Sequence, residues 1–147
     1  MVDSKRAVAK RFGATHSCAP EDLDAAKVEL TGDGFDFAIE AIGLAKTMRM
    51  AWDNIRRGGT ACIVGAGREE DSLVFSAFEV FFNEKTLVGS YYGSSDVRSD
   101  FHRFIRLWKA GQLDLEGMIS QRIAIEDVNS AFDAMKAGEV IRTVITF

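Results

Sequence analysis

The sequence contains 147 residues, 47% of them hydrophobic and 27% charged, with a formal net charge of −4. This length gives room for one domain with a hydrophobic core and little room for two. The acidic balance argues against a nucleic-acid partner, which would need a basic surface, and no apolar run approaches the length of a membrane span.

Apolar residues recur along the chain with a spacing that switches between the helix period and the strand period. The predicted elements, in chain order, are a helix over residues 4–12, a short strand over 15–18, a helix that Pro20 opens, a strand over 35–39, a helix over 44–57, a strand over 60–64, an aromatic-rich stretch over 73–82, a strand over 86–90, helices over 96–110 and about 126–137, and a strand over 140–147. Gly58 and Gly59 are the predicted end of the helix over 44–57.

The alternation of strands and helices with short connections is typical of parallel βαβ units. The near-continuous apolar strand over 60–64 also suits a sheet whose two faces are both covered. We therefore predict an α/β protein with a doubly wound, mainly parallel sheet.

Four segments favour a dinucleotide-binding version of this fold over flavodoxin-like and response-regulator-like versions. They are FDFAIEAIG (35–43), RRGGTACIVGAG (56–67), KTLVGSYYGSS (85–95) and AGEVIRTVITF (137–147). In order and interval they resemble successive landmarks of the zinc-type, medium-chain alcohol dehydrogenase family, and the resemblance covers nearly the whole chain. It implies an incomplete Rossmann-type sheet that lacks the first two strands, in a single, N-terminally truncated nucleotide-binding domain over residues 1–147.

The resemblance implies an enzyme whose catalytic zinc domain, absent from this sequence, acts on a small alcohol or aldehyde. Zinc in such an enzyme polarises the alcohol oxygen, and hydride passes to NAD or NADP. We interpret this chain as the cofactor-binding portion, inactive by itself. Two alternatives stay open, a zinc-free quinone reductase relative and a non-catalytic binding or assembly module. The EAIG turn (40–43) and the stretch over 89–95 favour the alcohol dehydrogenases.

The resemblance assigns cofactor contacts to residues that follow three successive strands, at the edge where doubly wound sheets bind ligands. These residues are Ala41, Ile42 and Gly43, then Val64, Gly65 and Ala66, and then Ser90, Tyr91 and Tyr92. Purely structural explanations compete with this assignment: a turn that needs glycine at Gly43, and amphipathic rings packed at a surface for the two tyrosines.

Two basic residues complete the predicted cofactor contacts. Arg142 matches an arginine that contacts the cofactor pyrophosphate in the family, and a forked, permanent cation suits a diphosphate. The alternative for Arg142 is an ordinary surface arginine. Lys5 matches a basic position near the ribose, where a solvated lysine is the alternative. Asp3 is too close to Gly13 to match the family's ribose-binding acid and better suits a helix N-cap, so NAD and NADP are not distinguished.

No catalytic residue and no metal ligand is predicted, because His16, His102, Cys18 and Cys62 are isolated from one another in the sequence. We expect the two thiols to be reduced core residues, which favours the cytoplasm. The missing strands would leave the strand over 35–39 with an unpaired edge, from which we predict a homo-oligomer.

Overall fold

The structure, a computed structural model, describes residues 3–147. Contacts between residues divide it into two compact units. The first, here called the three-strand unit, is Cys18–Ser95. The second, called the two-strand unit, combines the residues before Cys18 with Asp96–Phe147.

Helices and strands alternate along most of the described chain. They are α1 (Asp3–Arg11), α2 (Leu23–Thr31), β1 (Phe35–Glu40), α3 (Ala45–Asn54), β2 (Ile55–Ile63), α4 (Ala77–Asn83), β3 (Thr86–Gly89), α5 (Val97–Lys109), β4 (Ile119–Ile123), α6 (Val128–Ala137) and β5 (Arg142–Ile145). A short 3-10 turn at Pro20–Asp22 leads into α2, as expected for a proline that opens a helix.

All strand pairs of the described chain are parallel. In the three-strand unit the order is β1-β2-β3, and in the two-strand unit β4 pairs with β5. Helices connect successive strands because parallel neighbours need a crossover rather than a hairpin. The predicted α/β class with a parallel sheet is confirmed.

The core of the three-strand unit forms where α3 packs on the sheet. Trp52 from α3 is 4% exposed, and it packs with Ile55 and Ala61 from β2. The Phe75 ring meets the Trp52 ring edge-on, with centroids 4.9 Å apart. Burial of this apolar surface is the main stabilising term for the unit.

The opposite side of β1 carries large apolar side chains that the unit leaves exposed. Residues alternate along a strand, so Phe37 and Ile39 lie on the face opposite Ala38 and Glu40. Phe37 and Ile39 are each 74% exposed, whereas Ala38 packs against the core. Within the described residues β1 pairs with β2 alone, so its other edge has no strand partner.

The predicted end of the helix over 44–57 was wrong. Helix α3 ends at Asn54, whose side-chain amide donates to the Met50 carbonyl oxygen at 2.8 Å. Gly58 and Gly59 lie inside β2 instead, where the register with β1 jumps from Ile55 to Thr60. Gly58 has a φ of 71°, so the two glycines form a bulge within a strand rather than a helix stop.

Two other predictions differ from the structure. Residues 15–18 form no strand. A strand needs a neighbouring strand for its backbone hydrogen bonds, and none of the described strands pairs with these residues. Strand β4 was not predicted, although its exposure alternates along Ile119–Ile123 as in a half-buried strand. Helix α1 begins at Asp3, but the predicted capping role of the Asp3 side chain falls outside what the structure describes.

Candidate functional site

Three turns of the three-strand unit meet at one edge of its sheet. The strands are parallel and end level with one another, since Glu40 pairs with Ile63 and Ile63 with Gly89. Each predicted trio of site residues follows one of these strand ends. The turn after β1 therefore holds residues 41–43, the turn after β2 holds 64–66, and the turn after β3 holds 90–92.

An open groove of about 700 Å³ lies between the second and third turns. Its lining combines strand ends and turn residues: Ile63, Val64, Gly65, Ala66, Gly89, Ser90, Tyr91 and Tyr92. This volume is in the range of small-molecule sites, which are typically about 300–1,000 Å³. Six of the predicted site residues thus line one cavity.

The first and second turns touch through two glycines. Gly43 has a φ of 88°, and a Cβ added to it would lie 2.4 Å from the Ala66 carbonyl oxygen. A Cβ added to Gly65 would lie 2.2 Å from the Gly43 nitrogen. Gly43 must therefore be glycine for two reasons, its positive φ and the lack of room for a Cβ. Gly65 must be glycine because there is no room for a Cβ.

Glu40 holds the first turn and was missed as a site residue by the sequence analysis. Its Oε1 accepts hydrogen bonds from the backbone N–H of Ile42 at 2.8 Å and of Gly43 at 2.9 Å, and from the Thr47 hydroxyl at 2.7 Å. Burial by itself would raise the pKa of Glu40, but these hydrogen bonds outweigh it and lower the pKa below its ordinary value. The signal in the sequence was an acid at the last position of a strand, directly before a glycine-containing turn.

The third turn presents two aromatic rings to solvent. Tyr91 is 86% exposed and Tyr92 is 75% exposed, and their rings meet edge-on with centroids 4.9 Å apart. Tyr92 itself has a φ of 50°, in the left-handed region, and the Ser95 hydroxyl donates to its carbonyl oxygen at 2.7 Å. The Ser90 N–H donates to the Ile63 carbonyl oxygen at 2.8 Å, which anchors the start of the turn to β2.

The two predicted basic residues lie in the two-strand unit. Arg142 is exposed at the start of β5 and pairs with Ile119 of β4. Its guanidinium has no hydrogen bond or ion pair with any residue of the described chain. Lys5 is half-buried on α1. The structure therefore brings the nine residues of the three turns together in one unit and keeps Arg142 and Lys5 in the other.

The described residues supply no zinc site. Among residues 3–147, no three histidine, cysteine, aspartate or glutamate side chains come close enough to hold a metal ion. Cys18 and Cys62 are free and half-buried. Over the same residues, no helix is both long and apolar enough to cross a membrane.

The sequence profile of one family, described as zinc-binding dehydrogenase, matches residues 1–110. That match spans most of the chain, including all three turns. The chain belongs to the zinc-binding dehydrogenase family. The predicted resemblance to this family is thereby confirmed.

Curated relatives within this family are alcohol dehydrogenases. The chain is 33% identical to alcohol dehydrogenase 1 of Trifolium repens over 150 residues, which cover 99% of this chain and 39% of the relative. It is 37% identical to putative alcohol dehydrogenase D of Mycobacterium tuberculosis H37Rv over 149 residues, which cover 98% of this chain and 40% of the relative. The chain thus spans about two fifths of the length of these relatives.

Solved structures of alcohol dehydrogenases have the same fold. Benzyl alcohol dehydrogenase from Acinetobacter calcoaceticus matches with a TM-score of 0.89 and 25% identity, over 99% of this chain and 40% of that structure. The alcohol dehydrogenase of Aeropyrum pernix matches with a TM-score of 0.85 and 26% identity, over 99% of this chain and 41% of that structure. The Rossmann-like character of the fold is confirmed by these matches.

Proposed function

We propose that the chain is the cofactor-binding portion of an NAD(P)-dependent alcohol dehydrogenase and that the three turns bind the nicotinamide half of the cofactor. One observation carries the proposal: in a zinc-binding dehydrogenase, two glycine backbones meet beside an open groove at the carboxyl edge of a parallel sheet. Parallel α/β sheets bind ligands at this edge. The absence of side chains at Gly43 and Gly65 lets the first and second turns pack against each other, which holds the second turn in place beside the groove.

The groove would bind through backbone groups and apolar surface. Residues of the second and third turns offer peptide N–H and C=O groups that can orient a carboxamide, and Val64 and Tyr91 offer apolar surface to a ring. When bound, a nicotinamide nucleotide supplies the hydride acceptor for oxidation of an alcohol. The residues of this chain hold and orient that acceptor, and we assign none of them a catalytic role.

Small alcohols or aldehydes are the substrates we propose for the whole enzyme, because the relatives are alcohol dehydrogenases. The described residues do not fit zinc, since no ligand set comes together among them. The free state of both cysteines supports the further proposal of a cytoplasmic protein.

Arg142 is the residue we propose for the pyrophosphate. An exposed guanidinium with no partner among the described residues can still donate a pair of hydrogen bonds to a diphosphate. Arg122, on the neighbouring strand β4, pairs with Glu116 at 2.5 Å and so has its charge partly neutralised. Arg122 can therefore serve as the control for Arg142, since both arginines lie in the same two-stranded sheet and only Arg122 has an ion-pair partner among the described residues.

The Arg142→Ala variant should bind NADH about 10-fold to 100-fold more weakly than the wild-type chain, because charge-assisted hydrogen bonds contribute about 1.5–3 kcal/mol. Isothermal titration calorimetry of the full chain measures this difference. The Arg122→Ala variant is the control and should bind as the wild type does. Equal losses in both variants would contradict a specific role for Arg142, and a wild-type chain that binds neither NADH nor NADPH would contradict the proposed function.

We also propose that the chain self-associates through β1. The support is an edge without a strand partner among the described residues, next to Phe37 and Ile39 at 74% exposure each. Analytical ultracentrifugation should give a dimer or larger species, and the Phe37→Ser/Ile39→Ser double variant should shift it toward monomer. A wild-type chain that stays monomeric at high concentration would contradict this proposal.

A further inference from the structure

We propose that Glu40 is a positioning residue of the nucleotide groove, whose carboxylate fixes the turn after β1 and places a negative charge beneath the turn after β2. The proposal rests on the proposed function, since it describes how the same groove favours one form of its ligand. Glu40 is 4% exposed, so it acts on a ligand through the two turns and does not touch it directly.

One oxygen of Glu40 organises the first turn. Three donors converge on Oε1, from the Ile42 N–H, the Gly43 N–H and the Thr47 hydroxyl, all within 2.9 Å. Thr47 lies in the first turn of α3, so this oxygen ties the strand end, the turn and the following helix together. Hydrogen bonds to an ionised acceptor are about twice as strong as neutral ones.

The main chain of Glu40 organises the second turn. Its carbonyl oxygen accepts hydrogen bonds from the Val64 N–H at 2.8 Å and from the Gly65 N–H at 3.0 Å. A single residue therefore orients the backbone of both turns, the first through its side chain and the second through its carbonyl. Displacement of Glu40 would move the two turns together.

The second carboxylate oxygen gives the site its electrostatic character. Oε2 is buried and has no hydrogen-bond partner, and a Cβ on Gly65 would lie 2.6 Å from it. Its negative charge is thus directed at the second turn, which lines the groove. A buried and incompletely paired charge acts over a longer range than a solvated one, because little water screens it.

This charge should distinguish the two redox forms of the ligand. The nicotinamide ring carries a positive charge when oxidised and none when reduced, while the rest of NAD+ and NADH is the same. A carboxylate near the ring therefore favours the oxidised form. For a unit charge roughly 10 Å away, at an effective dielectric constant near 20, the expected preference is on the order of tenfold.

Binding of NAD+ and of NADH to the full chain, measured by calorimetry, tests the proposal. In the Glu40→Gln variant, which keeps the size of the side chain and removes its charge, NAD+ binding should weaken roughly tenfold relative to NADH binding. Thr47→Val removes one donor and keeps the charge, so it should weaken both ligands by the same factor. Asp36→Asn, which removes a charge at the far end of the same strand, should change neither.

The positioning role also has a readout that needs no ligand. Hydrogen exchange of the Ile42 and Gly43 amides in the free chain should be faster in Glu40→Ala, which removes their acceptor, and near the wild-type rate in Glu40→Gln. Unchanged exchange in Glu40→Ala would overturn the positioning role. An unchanged ratio of NAD+ to NADH affinity in Glu40→Gln, or the same change in Asp36→Asn, would overturn the electrostatic role. A wild-type chain that binds neither nucleotide would instead refute the proposed function, and the exchange measurement would still decide whether Glu40 holds the turn.

Discussion

A Gly65→Ala substitution should destabilise the three-strand unit by about 3 kcal/mol, at the upper end of the range for overpacked positions. The added methyl group would lie 2.2 Å from the Gly43 nitrogen and 2.7 Å from the Gly43 Cα. These neighbours are backbone atoms, so no side-chain rotation relieves the clash and the two turns must separate. Because the second turn lines the groove, its displacement should weaken NADH binding as well.

Urea unfolding followed by circular dichroism measures the loss of stability. Gly89→Ala is the matched control, since Gly89 occupies the last position of β3 and a Cβ there would meet no atom within 4 Å. The control should stay within about 1 kcal/mol of the wild type. Comparable losses for the two variants would show that the contact between the Gly43 and Gly65 backbones is not the cause.

A Trp52→Ala substitution should reduce the free energy of unfolding by about 3–5 kcal/mol, the range seen when a large buried aromatic side chain is truncated. Trp52 is 4% exposed and packs against Ile55, Ala61 and the Phe75 ring, so its removal leaves a cavity at the centre of the three-strand unit. Typical domains have only about 5–15 kcal/mol of stability, so this loss could leave part of the unit unfolded at room temperature.

Thermal unfolding monitored by circular dichroism tests this prediction. Trp108→Ala is the control because Trp108 is 43% exposed on α5 and leaves a smaller void when truncated. The midpoint temperature should fall much further for Trp52→Ala than for Trp108→Ala. A smaller fall for Trp52→Ala would mean that the α3 contact with the sheet is not the main stabilising contact.

The sequence predicted the order and type of most elements because the apolar spacing of each is local information. The helix over 96–110, for example, is observed as Val97–Lys109, and Asp96 caps it by accepting a hydrogen bond from the Arg98 N–H at 3.2 Å. The end of α3 could not be predicted in this way. In the sequence, Gly58 and Gly59 resemble the end of a helix. They belong to a strand because β2 pairs with β1, and that pairing is not visible in the local sequence.

The sequence predicted where the three turns lie but not how they contact one another. Strand ends before glycine-containing turns mark residues 41–43, 64–66 and 90–92 in the sequence itself. The reason that Gly65 must be glycine is contact with Gly43, and that contact becomes visible only when β1 and β2 are neighbours. The same holds for Glu40, whose carbonyl oxygen binds residues 24 and 25 positions further along the chain.

The contact between Gly43 and Gly65 also limits how this protein can change over evolutionary time. Neither position can acquire a side chain while the other backbone stays in place, because the nearest obstacle at each is a main-chain atom that no substitution removes. Substitutions of neighbouring residues, which relieve steric crowding in many protein cores, therefore cannot relieve it for this pair. Divergence among descendants should accumulate around the two sites, at Ala41, Ile42 or Ala66, and leave the pair itself untouched.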